Sequence, residues 1–409
     1  MRIRKRFLST LAALAPALLS AGGALAQAEA PKATGPRMEI YGFAQADFGY
    51  DFRQIDPDWF DVERVSKLPS YANQFGADGR TWASVRQSRL GVKGWIPTGL
   101  GEIKTIFEFE LFGVGVDAGQ TTFRLRHAWG ELGAVGAGQT WSPFMDPDVF
   151  PNILEYWGPS GMPLFRNVQV RYMPLRGDDE VFVALERPGA SADGGAYANR
   201  VELQGVQIRT PLPDLSAHYK KSGKWGHFQV AGLLREIKWD DVNGDQYDLS
   251  GSAVGWGLHA STVLNVAKAD FVRASVVVGA GVQNYMNDAP IDIGIKKNPG
   301  DPVKPIQGEA IPLVGVVAFY EHTWSKMLTT AVGYSYFKVD NPDGQNPSDF
   351  KSANYAIANL LCTPVAGVMA GAEFQYGKRT NFSDGFNSDD YRVQFSFKYN
   401  FSYMLGGKK

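Results

Sequence analysis

Apolar and polar residues alternate strictly in the last strand-like segment of the chain. Its apolar positions are Val393, Phe395, Phe397, Tyr399, Phe401 and Tyr403, and its polar positions are Arg392, Gln394, Ser396, Lys398, Asn400 and Ser402. Because successive side chains of a β-strand point to opposite faces, this pattern predicts a strand with one apolar and one polar face. Residues 88–94 and 102–112 alternate in the same way, and strand-like segments recur to the end of the chain. The chain is therefore predicted to be all-β.

The connections between these segments alternate in length. Short turns follow some segments, and long loops follow the others, at residues 53–81, 113–120, 142–163, 188–213, 240–251, 284–311, 339–351 and 380–389. This asymmetry is typical of outer-membrane barrels, which have short periplasmic turns and long extracellular loops. We count about sixteen segments, an even number that places both termini in the periplasm. The prediction is a transmembrane antiparallel β-barrel, with residues 200–210 as a possible additional strand.

A soluble sandwich would also alternate, but lipid favours a closed sheet because it offers the backbone no hydrogen bonds. The chain is rich in glycine, with 46 residues, and 13% of its residues are aromatic. Seven tryptophans lie near segment ends: Trp82, Trp95, Trp129, Trp225, Trp239, Trp256 and Trp324. This placement predicts aromatic girdles at the two membrane interfaces. The alternative is that they are ordinary core residues.

The first residues have the three parts of a secretory signal peptide. A basic start (residues 2–6) precedes an apolar run, and Ala24-Leu25-Ala26 provides a cleavage site. The alternative is an uncleaved membrane anchor. We expect a signal peptide at 1–26, a short polar leader at 27–37 and one barrel domain at 38–409. Removal of residues 1–26 leaves a net charge of −5, which does not favour nucleic-acid binding.

A loop without periodicity interrupts the central part of the chain. Residues 123–129 alternate as a strand, and residues 168–172 form the next clear strand. Between them, the segment 142–163 contains Pro143, Pro147 and Pro151, which a central strand would not accommodate. We expect this third loop to fold into the channel and to face a basic wall.

Basic residues occupy the polar faces of the early strands. The predicted ladder consists of Arg89, Lys93, Lys104, Arg124, Arg126 and Arg171. In a narrow lumen these cations would focus the electric field, although scattered charges could simply solvate the lumen. Three acids of the third loop, Asp146, Asp148 and Glu155, are expected to face the ladder across the constriction. The alternative is that they pair with nearby arginines and fix the loop.

Several motifs are distributed over nearly the whole chain after residue 26. They are Tyr41-Gly42-Phe43-x-Gln45-Ala46-Asp47, Arg86-Gln87-Ser88-Arg89-Leu90-Gly91-Val92-Lys93-Gly94, Phe123-Arg124-Leu125-Arg126-His127-Ala128-Trp129, Gly138-Gln139-Thr140-Trp141-Ser142, Tyr320-Glu321-His322-x-Trp324, residues 371–379 and residues 394–401. Together they resemble the DcaP-type outer-membrane porins. The resemblance implies a homotrimer of sixteen-stranded pores, each narrowed by an inward third loop and passing small anions such as dicarboxylates. It also implies contacts with outer-membrane lipid and, during assembly, with the barrel-insertion machinery.

The sequence therefore predicts a passive porin of the outer membrane. Two alternatives are a structural or adhesive barrel with a plugged lumen and a barrel enzyme. No catalytic arrangement is evident, because the five histidines fall on separate segments without ligand spacing. The segment Asp241-x-Asn243-x-Asp245 begins like a calcium loop but lacks the glycine and glutamate that complete one. We expect no cofactor and no metal.

Overall fold

The computed structural model describes residues 35–406. The predicted signal peptide (1–26), most of the predicted leader (27–37) and residues 407–409 lie outside this range. Among the described residues, no helix is long and apolar enough to cross a membrane.

Twenty strands dominate the described part of the chain. They are β1 (Arg37–Asp51), β2 (Arg80–Ser84), β3 (Arg89–Thr98), β4 (Gly101–Phe112), β5 (Thr121–Leu132), β6 (Val135–Trp141), β7 (Arg166–Leu175), β8 (Asp179–Glu186), β9 (Val206–Arg209), β10 (Asp214–Gly223), β11 (Gly226–Asp241), β12 (Gly251–Ala267), β13 (Asp270–Ala280), β14 (Ile293–Lys297), β15 (Ile306–Ala310), β16 (Pro312–Thr323), β17 (Leu328–Val339), β18 (Phe350–Val365), β19 (Val368–Asn381) and β20 (Asn387–Gly406).

The strands form one closed antiparallel barrel of sixteen positions, which confirms the predicted fold class. Closure is made by β1 and β20, which pair from Arg37↔Gly406 to Asp51↔Arg392. Both β2 and β3 pair with β1, so they form one position of the wall that is interrupted at residues 85–88. The hairpin β14–β15 is a separate sheet, and β9 pairs with the end of β11. Residues 200–210 thus contribute a short extension and not a full wall strand.

Apolar side chains cover the outside of the barrel, and polar side chains fill its inside. On β20, Phe395 and Phe397 are about half exposed, whereas Gln394 and Ser396 are fully buried in the lumen. This is the parity that the alternation predicts. It differs from a soluble protein, in which the apolar face would be the buried one, and it gives lipid a continuous apolar surface.

The tryptophans divide between the two sides of the wall. Trp225, Trp256 and Trp324 are exposed on the outside, as the girdle prediction requires. Trp82, Trp129 and Trp239 are buried, so the girdle prediction is wrong for these three. The Trp129 ring packs against the Arg171 guanidinium at 5.2 Å, which places it among the inward-facing side chains.

A β-bulge in β5 explains the position of Trp129. Glu108 of β4 lies opposite His127, and the next residue, Phe109, lies opposite Leu125. Arg126 is therefore the extra residue of the bulge, which shifts the alternation by one position. Arg126 and His127 are both buried, although they are neighbours in sequence. A strictly alternating strand would have turned one of them towards lipid.

Three extracellular loops fold into the barrel and pack against its inner wall. Their apolar side chains form a cluster with residues of the wall. The cluster includes Leu68 from the first loop, Phe144 and Met162 from the third loop, and Tyr285 from the loop after β13. We call the third loop, residues 142–165 between β6 and β7, the constriction loop. Its inward position confirms the prediction of a loop folded into the channel.

We expect Phe397→Arg to destabilise the barrel by about 2–4 kcal/mol, because an arginine on the lipid face near mid-membrane is costly. Phe397 is 48% exposed and pairs with Ala46 near the middle of β1. The measurement is the temperature at which the folded band disappears on a heat-modifiability gel. The neighbour Lys398 points to the lumen, so Lys398→Ala is the control. Equal transition temperatures for both variants and the wild type would contradict the assigned parity.

Candidate functional site

A central cavity of about 1020 Å³ lies between the constriction loop, the first loop and the barrel wall. Cationic side chains outnumber acidic ones on its lining. The cations are Arg64, Lys67, Arg89, Arg124, Arg126, Arg166 and Lys398, and the acids are Asp56, Asp58 and Glu155. Aromatic rings of the constriction loop, Tyr156 and Trp157, also line it. The cavity is thus the narrow part of the lumen and carries excess positive charge.

Two glutamates of β4 are the acids that the wall arginines contact. Glu108 and Glu110 are both buried, and Arg126 reaches them at 2.6 and 2.5 Å. Arg124 lies 2.8 Å from Glu110, while Arg89 and Arg166 lie 3.7 Å from it. Four arginines from β3, β5 and β7 therefore share two carboxylates. The cluster is only partly neutralised, so positive charge remains beside the cavity.

Tyr156 connects the constriction loop to this cluster. Its hydroxyl donates to Glu110 and accepts a hydrogen bond from Arg124 at 2.9 Å. Its ring stacks on Phe112, with the two centroids 4.2 Å apart. The loop therefore meets the basic wall through a tyrosine, and the three predicted loop acids take no part in this contact.

The three acids that were expected to face the ladder lie elsewhere. Asp146 accepts hydrogen bonds from His227 Nε2 and Ser261 Oγ, both at 2.7 Å. Asp148 pairs with Lys220, which also lies 3.5 Å from Asp146. These partners belong to β10, β11 and β12, on the other side of the lumen. The expectation that Asp146 and Asp148 face the arginines is therefore wrong. Lys220, His227 and Ser261 lie within contact distance of the loop and bind these carboxylates instead.

Glu155 lines the cavity, but its carboxylate holds backbone groups. It accepts hydrogen bonds from the amides of Trp157 at 2.8 Å, Gly158 at 2.5 Å and Glu63 at 3.1 Å. It also accepts one from the Tyr355 hydroxyl at 2.9 Å. Burial raises the pKa of Glu155, and these donors oppose that rise. Its role is thus to shape the loop, and the prediction that it faces the ladder is wrong as well.

The six cations of the predicted ladder do not form a single row. Arg89, Arg124 and Arg126 come together at the cavity. Lys93 pairs with Glu39 at 3.2 Å and Lys104 with Glu131 at 3.6 Å, nearer to the short turns. Arg171 is buried and donates from Nε to Gln169 at 3.0 Å. Lys93, Lys104 and Arg171 lie outside the cavity lining, because they contact strand residues at other heights of the barrel.

Residues that the sequence prediction did not select complete the site. They are Glu108, Glu110, Tyr156, Arg166 and Lys398, together with Glu373 on β19. The alternation of residues 102–112 already places Glu108 and Glu110 on the lumen face. Glu373 accepts the backbone amides of Leu154 and Glu155 at 2.7 and 2.8 Å and so fixes the loop at its middle. Nothing in the local sequence marks this last contact.

A metal ion is not needed to explain the acids near the start of the loop. Possible ligand atoms of Asp146, Asp148 and His227 lie within 4.8 Å of one another. Lys220 Nζ contacts both carboxylates and already supplies positive charge there. At the segment that begins like a calcium loop, Asp241 accepts the amides of Asn243 at 3.0 Å and Leu249 at 2.9 Å. Its carboxylate thus closes the loop on its own backbone.

The contacts of Asp146 predict that the constriction loop loosens in acid. Burial by itself would raise the pKa of Asp146, but the hydrogen bond from His227, the charge of Lys220 and the hydrogen bond from Ser261 outweigh it. The pKa therefore lies below the ordinary value of 3.8. A lowered pKa means that the anchoring free energy is complete above pH 3.8 and is lost as the pH falls further.

We expect the contribution of Asp146 to single-channel conductance to be constant at neutral pH and to be lost only below pH 3.8. Asp146→Asn removes the charge at every pH, so its conductance should differ from the wild type at pH 7. The two proteins should converge in acid. A difference that persists unchanged in acid would contradict this assignment of Asp146.

Comparison with known proteins agrees with this architecture. Residues 25–401 match the family model described as DcaP outer membrane protein. No curated protein sequence matches the chain. Among solved structures, the outer membrane channel DcaP of Acinetobacter baumannii superposes with a TM-score of 0.72 at 23% identity, covering 91% of this chain and 99% of that one.

Two further structures share the fold at lower identity. The anion-selective porin from Comamonas acidovorans has a TM-score of 0.58 at 11% identity, covering 90% of this chain and 100% of that one. The trimer form of OmpT from Vibrio cholerae has a TM-score of 0.55 at 10% identity, again covering 90% and 100%. Because the family model spans most of the chain, the protein belongs to the DcaP outer membrane protein family.

Proposed function

We propose that the protein is a passive channel for small hydrophilic anions, with a preference for dicarboxylates. The observation that carries this proposal is the partly neutralised arginine cluster beside the cavity, where four arginines share Glu108 and Glu110. Charges that line a narrow aqueous path with low-dielectric walls raise the local concentration of counter-ions. A solute with two carboxylates would meet more than one of these cations.

The size of the effect is sufficient for selection. A carboxylate at ~4 Å from one cation gains roughly 4 kcal/mol at an effective dielectric constant of ~20, before desolvation and screening. A net gain of about 1.4 kcal/mol already favours anions tenfold over an uncharged wall. Screening by salt is weaker in a narrow site than on an open surface. The acids of the cluster reduce the gain, but they do not cancel four arginines.

The proposal includes the assembly of the protein. Residues 1–26 direct export and are removed, and the barrel is inserted into outer-membrane lipid by the insertion machinery. The outer surface of apolar side chains supports contact with lipid. The chain forms a homotrimer; the similar OmpT structure in its trimer form supports this state. Cross-linking of the detergent-extracted protein tests it, and a single band at the monomer position would contradict it.

The reversal potential across a planar bilayer under a potassium chloride gradient tests the anion preference. We expect the wild-type channel to prefer chloride. Arg124→Gln/Arg166→Gln should reduce that preference, because both side chains face the cavity and neither is the central residue of the cluster. Arg209→Gln is the control, since Arg209 pairs with Asp240 on the exposed extension β9–β11. An unchanged reversal potential in the double variant would contradict the proposal.

The same recordings distinguish the alternative functions. A structural or adhesive barrel with a plugged lumen would give no steady open-channel current, and a barrel enzyme would have no reason to discriminate between ions. The cavity beside the constriction loop supports an open path. A barrel that inserts but never conducts would favour the plugged alternative.

A further inference from the structure

Lys398 is a cation of the cavity lining that no carboxylate among residues 35–406 pairs with. It lies on the lumen face of β20, and its Nζ is 3.8 Å from the centroid of the Phe43 ring on β1. Within residues 35–406, no carboxylate oxygen lies within ion-pair distance of this ammonium group. This differs from Lys93, which lies over Tyr41 on the same wall but pairs with Glu39 at 3.2 Å.

Arg89 is the second cation beside the ring of Phe43. Its guanidinium carbon is 5.2 Å from the centroid of Phe43. Its distances to Glu108 and Glu110 are 3.6 and 3.7 Å, whereas Arg126 reaches the same acids at 2.6 and 2.5 Å. Arg89 Nε is buried and faces Glu108, but the side chain as a whole is 24% exposed and lines the cavity. Because Arg126 lies closer to both glutamates, the exposed part of the Arg89 guanidinium can contact a solute.

The acid whose charge acts on Lys398 is Asp47, which neighbouring side chains hold through one of its oxygens. Oδ1 of Asp47 accepts hydrogen bonds from Gln45 at 2.9 Å, Ser396 at 2.5 Å and Gln394 at 3.3 Å. Asp47 is 1% exposed, so it lies behind the surface that a solute would contact. It lowers the potential at Lys398 without covering the ammonium group.

We propose that Lys398 and Arg89, beside the ring of Phe43, form an anion subsite that binds one carboxylate of a passing organic solute. The subsite adjoins the cluster of Arg124, Arg126 and Arg166 and shares Arg89 with it, whereas Lys398 belongs to the subsite alone. An ammonium group and a guanidinium group together offer a point charge and a planar pair of donors, which suit a carboxylate. The ring supplies an apolar surface for the carbon atoms next to it.

This inference rests on the proposed function, since a channel that excludes anions would have no use for the subsite. The subsite also predicts saturation, which the general positive charge of the lumen does not predict. A binding site has a saturable occupancy, whereas a diffuse positive field changes the current in proportion to concentration. Conductance in potassium acetate should therefore approach a plateau as the concentration rises.

The test is the conductance of the full-length protein in planar bilayers at increasing concentrations of potassium acetate. Lys398→Gln should raise the half-saturating acetate concentration by about fivefold or more, because weak multi-site binding controls conduction. Lys398→Arg keeps the charge and should restore a value near the wild type. Lys93→Gln is the matched control, since Glu39 already neutralises Lys93. A folded band on a heat-modifiability gel shows that each variant forms the barrel.

The possible outcomes separate this proposal from the previous one. An anion-selective wild type whose acetate saturation is the same in Lys398→Gln would overturn the subsite alone. An equal effect of Lys93→Gln and Lys398→Gln would also overturn it, because a diffuse field would then suffice. A wild-type channel without anion preference would overturn the proposed function and the subsite together.

Discussion

Replacing Arg126 by alanine is expected to destabilise the barrel by about 3–5 kcal/mol, the range for removing one partner of a buried ion pair. Arg126 is 6% exposed and is the closest cation to both Glu108 and Glu110. Without it, Glu108 would keep the longer contact of Arg89, and Glu110 would keep the contacts of Arg89, Arg124 and Arg166. The measurement is the free energy of unfolding in urea for the detergent-solubilised protein.

Arg176→Ala is the matched control for this variant. Arg176 also pairs with a glutamate, Glu131, at 3.0 Å, but its side chain is 32% exposed. Pairs of this kind contribute about 0–1 kcal/mol. Adding Glu108→Gln and Glu110→Gln to Arg126→Ala should recover part of the loss, because the uncompensated charges are then gone. If Arg126→Ala were as mild as Arg176→Ala, the cluster would have to be open to water.

The second large effect is expected at Glu373, where Glu373→Ala should widen the constriction. The carboxylate of Glu373 is buried and accepts two backbone amides of the constriction loop. Leaving a buried amide without its partner costs about 1–3 kcal/mol, and the variant would leave two such amides unpaired. We therefore expect the middle of the loop to leave its position and single-channel conductance to rise.

Glu309→Ala provides the comparison for Glu373→Ala. Glu309 lies on the β14–β15 hairpin, where it pairs with Lys296 at 2.9 Å and is partly exposed. Its removal should leave conductance unchanged. If Glu373→Ala conducted like the wild type while it folded normally, other contacts of the loop would be sufficient to hold it.

The sequence predicts the barrel well because the alternation of apolar and polar residues is a local property of each strand. The alternation of residues 392–403 tells which side chains face lipid, and this holds wherever the strand lies in the wall. The bulge at Arg126 could not be predicted in this way, because it is a property of the pairing between β4 and β5. The error at Trp129 follows directly from it.

The partners of the loop acids could not be predicted from local sequence at all. Asp146 meets His227, which is 81 residues away in the chain, and Leu154 meets Glu373 at a separation of 219 residues. Several basic and hydroxyl side chains compete for each acid once the barrel closes. Alternation identifies Glu108 and Glu110 as lumen residues, but only the register of β3, β4 and β5 shows that they hold the arginines.

The long sequence separation of these contacts has a consequence for the order of assembly. The constriction loop leaves the wall after β6, but its contacts include Ser261 on β12, Ser335 on β17 and Glu373 on β19. These strands are made after the loop, and contacts that close long segments of chain form late because they must overcome the entropy of closure. The loop can therefore dock only when most of the wall is present. Until the loop docks, it does not narrow the pore, so the pore reaches its final width as one of the last events of folding.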